Sequence, residues 1–128
     1  MSSAWIADLA LERSRPWLAP CFNMRERQLH RQQDVEALIR RGRYKLHCGE
    51  RSAIVTELDP YPSGETALHW WYVAGDMDEL RRMHARIERE AIEQGATQSF
   101  GYGRDGWARA VKDLGYEPYS AIVRKMLT

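Results

Sequence analysis

The hydrophobic pattern of this sequence changes its period near residue 76, and that change limits the possible folds more than any other feature. Before it, Thr66–Val73 is rich in β-branched and aromatic residues, as a strand is. After it, apolar residues recur at intervals of three or four, as on one face of a helix. They are Leu80, Met83, Ile87 and Ala91. A strand followed by a long helix predicts a right-handed crossover to a parallel strand.

The segments around this unit predict the other strands. Tyr44–His47 and Ser52–Leu58 are separated by short turns from each other and from the strand at Thr66, so we expect an antiparallel meander. Asp76, with Glu79 three residues later, is typical of a capping box that opens the long helix. The elements predicted after it are a strand over Thr97–Tyr102, a helix from Trp107 to Leu114 and a final strand over Tyr119–Leu127.

The first third of the chain is predicted to be helical. Residues 3–13 read as a short helix, and Asp34 as the N-cap of another that ends at Gly42. A chain of 128 residues fits one domain. We expect one α/β (α+β) domain with a mixed sheet of about five to six strands and helices on both faces. Residues 1–33 are the helical N-terminal segment, and 34–127 the core of the fold.

Composition narrows the classes of protein. The chain is 44% hydrophobic and its net charge is only +1, which is typical of a globular protein and gives no global reason to expect nucleic acid or a membrane. Cys21 and Cys48, the only cysteines, read as reduced thiols of a cytoplasmic protein in a bacterium or an infected host cell. The histidines have no metal-ligand spacing with them, so we expect no metal.

One stretch is locally basic. Arg25–Lys45 holds seven basic and three acidic residues. Such an excess can meet an acidic partner or nucleic acid. No aromatic platform or nucleic-acid motif accompanies it, so we favour a solvated helical face and keep a nucleic-acid-binding module as the weaker alternative.

The end of the chain carries a family resemblance. The segment Gly103-Arg104-Asp105-Gly106-Trp107, followed by Gly115-Tyr116 and an apolar tail, resembles the GNAT superfamily of N-acetyltransferases. It is most similar to a small GNAT-like group encoded by tailed phages and prophages. The resemblance covers residues 34 to 127 and implies the GNAT-like fold.

The resemblance also implies a cofactor site. In GNAT enzymes a glycine-rich turn opens the long helix, and its N–H groups bind the pyrophosphate of acetyl-CoA. A tyrosine of the next helix often protonates the leaving thiolate. By this resemblance the acetyl-CoA contacts fall on Gly75, Asp76, Met77, Gly103 and Arg104.

The sequence departs from that pattern in two places. The turn over Val73–Glu79 has one glycine and three carboxylates, with no Arg or Gln upstream in register. The expected tyrosine falls on Val111. We therefore interpret the chain as a GNAT-fold protein with a degenerate acetyl-CoA site and a binding, assembly or host-modulating role. The alternative is an active N-acyltransferase with an atypical site around Arg104.

For that alternative the catalytic candidates are Glu57 and His69. Glu57 lies where GNAT enzymes sometimes place an amine-activating carboxylate, and His69 can act as a base on the central strand. Tyr61 or Glu65 in the loop can act likewise.

The expected ligand is a protein partner or a small acyl-CoA. Trp70, Trp71 and Tyr72 alternate along the central strand, so we expect them to point to opposite faces. One face then packs in the core, and the other lines a groove or a partner surface, including that of a homodimer.

Overall fold

The computed structural model describes residues 3–23, 28–103 and 106–128. Its elements, in chain order, are helix α1 (Ser3–Leu18), a 3₁₀ turn (Ala19–Phe22), helix α2 (Gln32–Arg40), strands β1 (Lys45–Cys48), β2 (Ser52–Pro60) and β3 (Thr66–Gly75), helix α3 (Met77–Glu93), strand β4 (Gln98–Gly101), helix α4 (Trp107–Ala110) and a second 3₁₀ turn (Lys112–Leu114). None of the helices in these ranges is long and apolar enough to cross a membrane.

The strands form one mixed sheet in the order β1-β2-β3-β4. β1 with β2 and β2 with β3 are antiparallel, which confirms the predicted meander. β3 and β4 are parallel, from Ala67 opposite Gln98 to Trp70 opposite Gly101, which confirms the crossover through α3. The mixed α+β architecture is as expected, although the sheet has four strands rather than five or six.

The missing strand is the last one, and the prediction for Tyr119–Leu127 was wrong. These residues form no strand. Tyr119 is 80% exposed and Val123 is 93% exposed. Alternating apolar residues indicate a strand, but a strand forms only where a partner completes its hydrogen bonds. Within the described ranges nothing pairs with the outer edge of β4.

Helices cover both faces of the sheet, as predicted. The 3,4-spaced residues of α3 pack against one face, forming a core with strand residues from β2 and β3. Its members are Ile54, Leu68, Trp70, Leu80, Met83, Ile87 and Ala91. The opposite face carries a second core with residues of α1 and α2. Its members are Leu18, Val35, Tyr44, Ala53 and Val55.

β3 contains a bulge at Trp71. Val55 of β2 pairs with Tyr72, while the next residue, Thr56, pairs with Trp70, so Trp71 is the additional residue. Trp70 packs in the α3-side core, whereas Trp71 and Tyr72 both pack on the α1/α2 side. The predicted strict alternation of the three aromatics was therefore wrong for Tyr72.

Two helix boundaries also differ from expectation. α1 continues past residue 13 and through Pro16 to Leu18. Leu11 and Leu18 are almost fully buried, and this packing outweighs the hydrogen bond lost at a proline near the helix end. α2 begins earlier than predicted, because Arg31 is its N-cap and Asp34 lies in its first turn, where it accepts the Arg31 N–H at 2.9 Å.

Candidate functional site

The turn ahead of α3 is packed against the β1–β2 turn. Gly75 has a φ of +129°, and a Cβ atom built on it would lie 2.3 Å from the carbonyl oxygen of Arg51. The Asp76 N–H donates to that same oxygen at 3.0 Å. Gly75 is thus required because the chain's own backbone approaches it closely.

Asp76 caps α3 as predicted, since its carboxylate accepts the Glu79 N–H at 3.0 Å. The reciprocal half of the capping box is absent. Glu79 is buried, and its carboxylate instead accepts the N–H groups of Glu50 at 3.0 Å and Arg51 at 2.9 Å. The neighbouring Ser52 hydroxyl and the hydrogen bonds from these N–H groups hold the pKa of Glu79 below its usual value. Glu79 is therefore an anion that fastens the helix to the β1–β2 turn.

The second candidate glycine, Gly103, is exposed but also lies close to another part of the chain. A Cβ on Gly103 would lie 2.0 Å from Cδ1 of Trp107. Gly103 therefore makes room for the indole that begins α4. Arg104 lies outside the described residues, so the atypical site around it stays a prediction.

Glu57 and His69, the two catalytic candidates, are brought together as neighbours on β2 and β3. Both are buried on the α1/α2 side of the sheet. The Glu57 carboxylate accepts Trp71 Nε1–H at 3.0 Å and Arg43 Nε–H at 3.2 Å. Because its two oxygens are held by these donors, Glu57 serves first as a structural anchor for Trp71.

His69 is the centre of a hydrogen-bonded chain of rings, which we call the His69 cluster (Tyr61, His69, Trp71 and Tyr102). Its Nδ1 lies 2.7 Å from the Tyr102 hydroxyl, and its Nε2 lies 3.1 Å from the Tyr61 hydroxyl. A neutral imidazole has one donor and one acceptor nitrogen, so one tyrosine accepts a hydrogen bond from the ring and the other donates one. A hydrogen bond to Asp59 raises the pKa of Tyr61, and burial raises that of Tyr102.

The Trp71 and Tyr102 rings of the cluster lie just beyond the point where β3 and β4 stop pairing, after Trp70 and Gly101. The rings of Trp71 and Tyr102 stack with centroids 4.4 Å apart and planes 16° apart. On the α3 side, Trp70 Nε1–H donates to Ser99 Oγ at 2.7 Å, and Ser99 Oγ lies 2.6 Å from the Tyr116 hydroxyl. Side chains of the protein therefore occupy the space between the strands from both faces.

His84 of α3 completes the packing on the α3 side. Its ring stacks on Trp70 with centroids 4.8 Å apart, and its Nε2 lies 2.8 Å from the Tyr116 hydroxyl. Burial lowers the pKa of His84 and raises that of Tyr116, so both are neutral at physiological pH.

Comparisons with known proteins gave structural matches only. No protein-family model and no curated protein sequence matches the chain. A ribosomal-protein-alanine N-acetyltransferase from Brucella melitensis biovar Abortus 2308 superimposes with a TM-score of 0.66 at 12% identity, covering 92% of this chain and 93% of that one. An aminoglycoside acetyltransferase from an uncultured soil metagenomic sample gives 0.63 at 10% identity, covering 94% and 88%. A transcriptional regulator from Bacillus halodurans C-125 gives 0.64 at 11%, covering 99% and 96%.

The chain has the GNAT-like fold. At 10–12% identity, this similarity extends to the fold alone. It confirms the fold implied by the sequence resemblance and leaves the activity to be argued from the site.

The GNAT-like fold implies that the N-terminus of α3 binds the pyrophosphate of the cofactor, but the residues at this position do not fit a pyrophosphate. Three carboxylates occur within the first turn, on Asp76, Asp78 and Glu79, and Asp76 already accepts an N–H of that turn. The nearby cation, Arg51, lies 3.8 Å from the Asp76 carboxylate. A diphosphate placed here would face an excess of negative charge.

Other candidates of the sequence have ordinary partners. Glu65 accepts a hydrogen bond from the Thr97 hydroxyl, away from His69. In the basic stretch three arginines form ion pairs. The pairs are Arg31–Asp34, Arg40–Asp8 and Arg43–Glu57. Arg25 and Arg27 lie outside the described residues. Among those described, no group of three or more His, Cys, Asp or Glu side chains could hold a metal, and neither Cys21 nor Cys48 is in a disulfide.

Sequence reasoning missed Tyr102, Tyr116 and His84 as parts of this region. Tyr102 comes directly after β4, the strand that lies parallel to β3. Only the pairing of β3 with β4 brings Tyr102 close to His69. The signal that could have found it is the pair Phe100 and Tyr102, which alternate at period two on the strand predicted next to His69.

Proposed function

We propose that this chain is a GNAT-fold protein with a degenerate acetyl-CoA site and that it acts by binding rather than by catalysis. One observation carries the proposal. On the side where a Cβ atom would lie, Gly75 and Gly103 each face the chain itself, at the Arg51 carbonyl and the Trp107 indole, while both residues remain exposed. The flexibility of these residues is used for internal packing.

Two further features support the same conclusion. The first turn of α3 is acidic, and just beyond the paired part of β3 and β4 the rings of Trp71 and Tyr102 stack on each other. The resemblance of residues 103–116 to phage-encoded GNAT-like proteins suggests the setting. We place the binding role in the virion assembly or host-directed programme of a tailed phage or prophage.

Thermal unfolding with acetyl-CoA tests the proposal. A ligand at 100 times its Kd adds about 2.7 kcal/mol to the free energy of unfolding, or about 10 °C in Tm for a domain of this size. We expect no shift at millimolar acetyl-CoA beyond that produced by inorganic pyrophosphate at the same ionic strength. A specific shift would refute the degenerate site. Its loss in Arg104→Ala, with retention in the matched control Arg109→Ala, would locate the cofactor at the atypical site.

An active N-acyltransferase is the second candidate, and the His69 cluster is the observation that favours it. The hydrogen-bonded path runs from exposed Tyr102 through His69 to Tyr61, and the Asp59 carboxylate lies beside it, 3.7 Å from His69 Nε2. A proton received at Tyr102 can move to His69 Nδ1 while the Nε2 proton passes to Tyr61 and on to the carboxylate. Acetyl-CoA, when bound, would supply the acyl group, and these residues would remove the proton of the acceptor amine.

This alternative is tested by CoA thiol release with a polyamine as acceptor. It predicts turnover that falls at least 100-fold in kcat for Tyr102→Phe, with KM little changed. Tyr119→Phe is the matched control, because Tyr119 is 80% exposed and its hydroxyl is not part of the His69 cluster. Absence of turnover in the wild type, or equal turnover in the two variants, contradicts the alternative.

A further inference from the structure

The C-terminal segment Tyr119–Leu127 concentrates exposed apolar surface in a way the rest of the chain does not. Of the twelve large hydrophobic residues that are exposed in the described part of the chain, five lie in it. They are Tyr119, Ile122, Val123, Met126 and Leu127. An exposed apolar run of this kind in a soluble fold marks an interaction site.

The segment begins beside an open sheet edge. Tyr116 is fastened to β4 through Ser99, with the two hydroxyl oxygens 2.6 Å apart, and the ring of Tyr119 contacts Phe100 edge-on with centroids 5.4 Å apart. The outer edge of β4 has no strand partner in the described part of the chain. Such an edge presents unpaired N–H and C=O groups to any strand that reaches it.

Strand β4 is too short to pair with the whole of this segment. β4 has only four residues, Gln98–Gly101. If the segment turned back along β4 from the contact of Tyr119 with Phe100, Ala121 would reach the level of Gln98. The residues from Ile122 onward would extend beyond the sheet, so β4 leaves the most exposed part of the segment uncovered.

The segment is complementary to itself. When two copies run antiparallel with Val123 opposite Val123, Tyr119 lies opposite Leu127, and Ile122 lies opposite Arg124. Lys125 then lies opposite Ala121, so no two basic side chains of the two strands are directly opposed, and apolar pairs fall at both ends and at the centre. A register in which residue i meets j and j meets i is that of a two-fold axis.

We propose that Tyr119–Leu127 is a dimerisation strand and that its partner is the same segment of a second copy of this chain. A two-stranded ribbon is only marginally stable in water. Each segment begins beside the open edge of its own β4, so the two β4 strands can flank the ribbon on either side. The inference is independent of acetyl-CoA binding.

Light scattering coupled to size exclusion tests it on the full chain. The 14.9 kDa protein is expected to elute as a dimer of about 30 kDa at tens of micromolar and to dissociate on dilution. Val123→Asp places two carboxylates opposite each other on the axis, and we expect it to be monomeric at every concentration tested. Its far-UV circular dichroism should match the wild type because Val123 is 93% exposed. The matched control Ile92→Asp, on an exposed apolar residue of α3, should stay dimeric.

A cross-linking experiment checks the register. Val123→Cys, in a background with Cys21→Ala and Cys48→Ala, should form a disulfide-linked dimer under mild oxidation at least ten times faster than Ile92→Cys in the same background. A wild type that is monomeric at all concentrations overturns the proposal. So does a dimer that Val123→Asp leaves intact, or equal cross-linking rates for the two cysteines.

Discussion

Buried His47 makes the stability of this protein depend on pH in a way that can be calculated. Its side chain is 7% exposed, and its Nε2 lies 2.9 Å from the Thr56 hydroxyl oxygen. Burial, reinforced by the positive charges of Lys45 and Arg86, lowers the pKa of His47 to about 4. The unfolded chain has a histidine pKa of about 6.5, so at pH 5 the unfolded state binds a proton that the folded state refuses.

The direction and the size of the pH effect on stability follow from this difference in the pKa of His47. Because the unfolded state binds more protons, stability falls as pH decreases below about 6.5 and levels off below about 4. Between pH 7.5 and pH 5.0 the His47 contribution is a loss of about 2 kcal/mol in the free energy of unfolding. With a urea m-value of about 2 kcal/mol/M, the midpoint moves by about 1 M.

The assay is urea unfolding at both pH values for the wild type and His47→Gln. The glutamine amide can keep a hydrogen bond to Thr56 but does not titrate. The quantity of interest is the loss between pH 7.5 and 5.0, which should be about 2 kcal/mol larger in the wild type. His84, whose pKa burial also lowers, acts equally in both proteins and cancels. Exposed His30→Gln should behave as the wild type does. Equal losses in wild type and His47→Gln would refute the reasoning.

Two further predictions concern packing. Gly75→Ala should lower the free energy of unfolding by at least 2 kcal/mol, because its Cβ would overlap the Arg51 carbonyl. The control Gly64→Ala has a positive φ but open space around it, so it should cost only about 1 kcal/mol. Equal costs for the two variants would contradict the close approach at Gly75. Ile54→Ala in the α3-side core should cost about 2–5 kcal/mol, while Ile92→Ala on the exposed side of α3 should change stability by less than about 0.5 kcal/mol, both by urea unfolding.

The sequence was sufficient for elements whose signal is local. The 3,4 spacing along α3 and the Asp76 cap depend on neighbours within one or two helical turns, so both were predicted and confirmed. The crossover to β4 followed from the order of a strand, a long helix and a second strand, and the parallel pairing confirms it.

The errors arose where distant parts of the chain decide the outcome. Alternation over Tyr119–Leu127 indicates a strand, yet no described part of this chain pairs with it. The close approach of the Arg51 carbonyl to Gly75 and of the Trp107 indole to Gly103 likewise depends on tertiary packing, and the assignment of both glycines to a cofactor site stays a prediction. Glu57 and His69 were named as catalytic candidates from their positions and their chemistry. Their hydrogen-bond partners could not be predicted, because Trp71 reaches Glu57 through the bulge and Tyr102 reaches His69 through the pairing of β3 with β4.

The bulge at Trp71 has a consequence for how this protein can vary. The extra residue puts Trp71 and Tyr72 on the same side of the sheet. Val73 therefore lies on the α3 side, and Gly75 lies against the Arg51 carbonyl. Deleting Trp71 would remove the bulge and leave Trp70, Tyr72 and Val73 in regular alternation on the faces they occupy now, whereas deleting one residue elsewhere along β3 would turn over the part of the strand beyond it. Relatives that share this architecture should therefore gain or lose a single residue of this strand only at the bulge.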